Sequence, residues 1–176
     1  MDTAQTWTLP GFEWPAAADA TDEAALADVR EHKAHVIFVS EQEAGPGLPF
    51  RPGFAFTIGL YLHFGHPELL IMGLPPEVCD DVLNEVIGLV EEGSAYGDGD
   101  ESGDILRNLP VRFVGVPSEA YAEWLGYARW FYASIDQDSF PCVQILWPSK
   151  KGRFPGQKGC PPSLKRHQPV LGTARP

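Results

Sequence analysis

The chain is 176 residues long, 44% hydrophobic and 21% charged, which is room for one domain that buries its core without staples. Three cysteines, Cys79, Cys142 and Cys160, stand far apart in no CxxC pairing and argue against a disulfide framework or a zinc site. No basic leader or long uncharged apolar run points to a signal peptide or a membrane span, so a cytoplasmic protein is expected. The net charge of −11 is uneven. Asp138 is the last acidic residue, so residues 139–176 carry +7, while six Lys and Arg against 24 Asp and Glu leave residues 1–138 at −18. Two readings fit that split: a basic segment folded back over an acidic body, or a basic loop offered to phosphate, nucleotide or an acidic partner. The acidic whole disfavours nucleic acid as the main partner.

In chain order, residues 1–20 read as an irregular lead-in pinned by Trp7, Phe12 and Trp14. Thr21 is placed to N-cap a helix that runs to about His32, with Asp22 and Glu23 in its first turn where the dipole favours negative charge. His35 to Val39 predicts a strand, followed by the turn-dense AGPGLPFRPG. Phe54, Phe56, Ile58 and Leu60 then alternate with Ala55, Thr57 and Gly59, putting large side chains on one face of a strand and very small ones on the other, where a helix or a ligand can come close. Residues 68–74 predict a second, buried strand, and Pro75-Pro76-Glu77 opens a helix to about residue 92 with a broad apolar face that includes Val82, Val86 and Leu89.

Residues 94–104 form an acidic loop in which Asp98 and Asp100 begin a calcium-loop pattern that fails at Leu109, where a closing Glu is needed. One or two strands are expected over 105–116, then an aromatic-rich helix from Ser118 to about Ser134 and a last strand from Pro141 to Trp147. The remaining tail reads as extended, with a short edge strand at 168–171. The prediction is a single α+β domain over 21–171 with a tail at 172–176, its mixed, mostly antiparallel sheet packed by two main helices.

His63, His66 and Glu68 form the tightest cluster of possible metal ligands or acid–base groups. Pro67 turns His66 away from helical backbone, so the HxxH pair belongs to a turn and not to a zincin-like helix. Three uses stay open: hydrogen bonding that holds the turn, proton transfer in a cleft with His66 and Glu68 as catalytic candidates, or metal binding by His63, His66 and Glu68. No nucleophile elbow, Walker loop or dinucleotide fingerprint occurs, and Cys79, flanked by Asp80 and Asp81, reads as a buried structural thiol. The second candidate element is WPSKKGRFP, in which Trp147, Lys150, Lys151 and Arg153 present cations beside aromatic surface.

FAFTIGLYLHFGHPELLIMGLPPEV together with FPCVQILWPSKKGRFP resembles the bacterial family called domain of unknown function 4262. Phe54–Leu60, Phe64–Glu68 and Gly73–Glu77 match its first motif, and Gln144, Trp147, Pro148 and Gly152–Pro155 match its second; Ser149 stands where the pattern has Asp. The resemblance runs over roughly residues 22–171 and implies no activity. The first motif is also loosely similar to suppressor-of-fused domains of toxin–immunity settings. The leading expectation is a binding protein for a small anionic ligand or a protein partner, with a cleft between the His63–Glu68 turn and the Trp147–Pro155 loop. The alternatives are an enzyme, metal-assisted or acid–base, centred on His63, His66 and Glu68, and an immunity-type protein that neutralises a toxin through its acidic surface. The sequence leaves the cofactor unknown.

Overall fold

A computed structural model describes residues 7–173. In the lead-in, Trp7 donates its indole N–H to the Tyr61 carbonyl, and Phe12 and Trp14 pack on Phe131, so the aromatic residues do anchor it. Helix α1 is Ala20–His32. Its cap is Asp19 and not Thr21: the Asp19 carboxylate accepts from the Asp22 N–H at 2.9 Å, a stronger acceptor than a hydroxyl for the same orphan donor. Strand β1 (His35–Val39) leads through an irregular excursion to β2 (Phe54–Ile58), a short helix α2 (Leu60–Phe64), β3 (Glu68–Met72) and the long α3 (Pro76–Glu91). Strands β4 (Glu101–Leu106) and β5 (Leu109–Gly115) form a hairpin, and a 3₁₀ turn at Ser118–Ala120 enters α4 (Tyr121–Trp124) and α5 (Gly126–Phe131). The chain closes through β6 (Cys142–Leu146) and α6 (Pro162–His167).

Among the described residues the strands make one sheet of six, ordered β1-β2-β3-β6-β5-β4, antiparallel everywhere except β3 beside β6. Alternation decides which side chain faces which layer. Ala55, Leu69, Ile71, Phe113, Val143 and Ile145 face α3, whose Cys79, Leu83 and Val86 are fully buried against them. Phe54, Phe56, Leu70 and Met72 face the opposite layer, built by α1, α4 and α5. The small-residue face of β2 is thus covered by protein. Gly59, which ends it at φ 105, sits so close to α1 that a Cβ would lie 2.5 Å from the Lys33 carbonyl oxygen, a place only glycine can take.

Four local expectations change. The stretch after β2 is helical over Leu60–Phe64 where a turn was expected. The helix over 118–134 breaks at Leu125 and Gly126 into α4 and α5, because Leu125 adopts φ −123 and ψ 34. The acidic loop contributes its last residues to β4. Residues 168–171 form no edge strand; they cross the sheet face, held by side-chain amides. The Gln144 amide donates to the Pro169 carbonyl and accepts from the Leu171 N–H, while Gln168 brackets Trp147 by accepting from its N–H and donating to its C=O. Both glutamines are fully buried, where each such bond avoids an unpaired polar group. Gly73, at φ 80, lets this segment approach: a Cβ there would stand 2.4 Å from the His167 carbonyl oxygen.

No helix among the described residues is long and apolar enough to cross a membrane.

Candidate functional site

Helix α2 begins at Gly59 with no capping side chain of its own. Glu68, the first residue of β3, supplies the missing acceptor. Its Oε1 accepts from the N–H groups of Gly59 (2.9 Å) and Tyr61 (3.1 Å) and from the Tyr132 hydroxyl, and its Oε2 accepts from the Thr57 hydroxyl at 2.6 Å. Thr57 in turn accepts from the Leu69 N–H at 2.9 Å, and the Tyr132 oxygen from the Leu62 N–H at 3.3 Å. Burial pushes the Glu68 carboxyl up to about 7, against the pull of these hydrogen bonds, which favour the carboxylate.

His66 is also buried. Its Nδ1 donates to the Pro67 carbonyl at 2.7 Å, and its Nε2 accepts from the Tyr96 N–H at 2.9 Å. That pair of partners fixes a neutral ring, and burial holds its pKa below the ordinary value. His63 faces the end of α1, where burial and then the Lys33 charge lower its pKa, and its Nε2 is buried without a hydrogen-bond partner among the described residues. The three side chains therefore turn toward Tyr132, Tyr96 and α1 respectively and do not converge. Among the described residues no group of three or more His, Cys, Asp or Glu is placed to hold a metal ion. Cys79 is fully buried, donating toward the Leu74 carbonyl, and burial pushes its thiol up to about 11.

Trp147 packs where β6 ends, its indole N–H donating to the Met72 carbonyl at 2.8 Å. Ser149 and Arg153 close the following turn through a backbone bond of 2.8 Å, Phe154 is buried, and Lys150, Lys151 and Arg153 are exposed. The cleft expected between this loop and the His63–Glu68 turn does not form. Parallel pairing sets Glu68 beside Cys142 and Ile71 beside Ile145, so the turn lies at the start of both strands and Trp147 at their end, with about 13 Å of strand between Glu68 and Met72. What connects the two segments is the acidic loop. Tyr96 binds His66 at one end; Asp98 accepts from Gly115 N–H, and residues 99–101 then run along β5 to a pocket of about 370 Å³ floored by Leu146 and Phe154. The Asp100 carboxylate accepts from the Gly97 N–H, and Arg112 in that pocket is already engaged by Glu101 at 2.9 Å and by the Phe154 ring.

A larger pocket, of about 780 Å³, opens where the excursion between β1 and β2 meets α4 and α6. Phe50, Arg51, Glu123, Trp124, Lys165 and Arg166 face it. The Arg51 guanidinium lies over the rings of Phe54 (5.6 Å) and Trp124 (6.0 Å), and that of Arg166 over Phe50 at 4.1 Å. Among the described residues Arg51 Nε is buried with no hydrogen-bond partner, and none of the three cations there has a carboxylate within ion-pair distance. Sequence reasoning missed this pocket because its walls come from three distant segments. The available signals were PFRPG, which sets an Arg between prolines, and PPSLKRH, which has Pro at a helix start and a basic last turn.

No curated protein and no solved structure matches the chain. A family model does, over residues 28–161, a span that includes the Glu68 corner, the WPSKKGRFP loop and Arg51 and stops just before α6. With well over half the chain matched, the protein belongs to the family of the domain of unknown function DUF4262.

Proposed function

We propose that this protein binds a small anionic ligand in the pocket between the β1–β2 excursion and α6, with Arg51, Lys165 and Arg166 receiving its charge. The observation that carries this reading is the gathering of Arg51, Lys165 and Arg166 on one pocket against the single carboxylate of Glu123, with no ion pair to any of the three among the described residues. Three cations that line one concavity and outnumber its one carboxylate favour an anionic ligand there. Lys165 and Arg166 are exposed and form no ion pair among the described residues, so their charge adds to a field that draws anions toward an otherwise acidic protein. The His63–Glu68 corner supports an enzymatic reading less well, since the ring nitrogens of His66 and the oxygens of Glu68 already have partners within the chain.

The test is thermal unfolding with inorganic phosphate or pyrophosphate against chloride at matched ionic strength. At ten times Kd, binding adds about 1.4 kcal/mol, a rise in Tm of roughly 3 °C. That rise should vanish in Lys165→Ala/Arg166→Ala while the unliganded Tm stays put. A rise that survives the double substitution, or no rise in wild type, overturns the proposal.

A further inference from the structure

Charge, size and wall chemistry of the same pocket narrow the ligand. We infer that it is an aromatic phosphomonoester of mononucleotide size, an inference that rests on the anion-binding reading above.

Three cations and the single carboxylate of Glu123 leave the pocket at +2. A carboxylate ligand would neutralise half of that, whereas a phosphomonoester carries about −1.5 to −2 near neutral pH. Two guanidinium groups also offer paired N–H donors that fit phosphate oxygens in a bidentate manner.

Size favours an organic ligand over the bare ion. The pocket measures about 780 Å³, while one water occupies about 30 Å³ of liquid, so a phosphate ion would leave most of the space to solvent; pockets of about 300–1,000 Å³ hold organic ligands. The walls say what the organic part is. Pro49, Pro52, Pro162 and Pro169 are rigid and carry no N–H, and Phe50 and Trp124 add aromatic surface, so much of the lining can bury a flat apolar body. The Arg166 guanidinium already lies over Phe50 at 4.1 Å, and a planar ring can extend such a stack, as bases do on aromatic and Arg planes. Glu123 is the one acidic acceptor there. It repels phosphate and accepts from O–H or N–H, which places it at the ribose hydroxyls or an exocyclic amine and away from the phosphate.

Isothermal titration of the full chain with adenosine 5′-monophosphate, uridine 5′-monophosphate, ribose 5-phosphate, inorganic phosphate and adenosine tests this. One stacked base should make the nucleotides bind about tenfold more tightly than ribose 5-phosphate or phosphate, and adenosine should give no heat at the same concentrations. Lys165→Ala/Arg166→Ala should abolish nucleotide binding. Glu123→Gln should tighten phosphate and shrink the nucleotide-to-phosphate preference. If nucleotide, sugar phosphate and phosphate bind equally and are all lost in the double variant, the anion site stands and the ligand class is wrong. If none of them binds, both fall.

Discussion

At the Glu68 corner the polar atoms meet within the chain: a carboxylate takes four donors, a histidine is bridged between Pro67 and Tyr96, and a threonine hydroxyl both gives and accepts. Around the pocket of Arg51, Lys165 and Arg166 the reverse holds. Arg51 and Arg166 rest on aromatic rings, and among the described residues the carboxylate of Glu123 pairs with none of the three cations. Both regions collect the residue types from which sites are made. What separates them is whether the hydrogen-bonding capacity is closed within the chain, which fixes shape, or left open, which invites a partner.

The sharpest way to break this comparison is to empty the corner. Glu68→Leu leaves the N–H groups of Gly59 and Tyr61 and two hydroxyls without their acceptor, and chemical denaturation should show a loss of about 3–5 kcal/mol; a near-neutral variant would mean that the corner is not structural. A pH series sharpens the same point. Burial raises Glu68 from its ordinary 4.5 to about 7, so the stability linked to its protonated form is complete below pH 4.5 and is lost as pH rises through 7. From pH 4.5 to 8 the wild type should lose about 3 kcal/mol relative to Glu68→Gln, read from paired denaturation curves.

His66 has the opposite sign. Its lowered pKa gives stability that is present above the ordinary 6.5 and fades as pH falls. His66→Ala should cost about 1–2 kcal/mol at pH 7.5, by orphaning the Tyr96 N–H, and should lessen the acid-side decline. The smallest effects concern the exposed cations. Lys165→Ala/Arg166→Ala and Lys150→Ala/Lys151→Ala should each stay within about 0.5 kcal/mol of wild type, and only the first pair should change the response to phosphate. A loss confined to the second pair would return the ligand to the Trp147–Pro155 loop.

The strands, the long helix α3 and the mostly antiparallel sheet were legible because alternation and the broad apolar stripe are local patterns. Pro67 likewise marked a turn in place of a metal-binding helix. Helix α2 was not legible: LYLHF has no cap of its own, and the acceptor that ends its first turn comes from Glu68, with Tyr132 completing the network from far along the chain. The separation of the two recognised motifs was hidden for a similar reason. Only the parallel register of β3 and β6 sets Glu68 and Trp147 at opposite ends, and no residue in either motif encodes that pairing alone. The large pocket draws on residues near 50, 124 and 165, which sequence spacing cannot bring together.

The two buried glutamines have a dynamic consequence. Gln144 and Gln168 tie the C-terminal segment to the sheet through side-chain amides, with no strand ladder propagating from one bond to the next. Such a segment opens as a small cooperative unit at lower free energy than the strands beneath it. Because α6 carries Lys165 and Arg166, each opening removes two of the three cations from the pocket. Amide exchange over residues 163–171 should therefore be faster than in β3 or β6, and a bound ligand should slow it, making occupancy of the pocket and closure of the C-terminus one equilibrium.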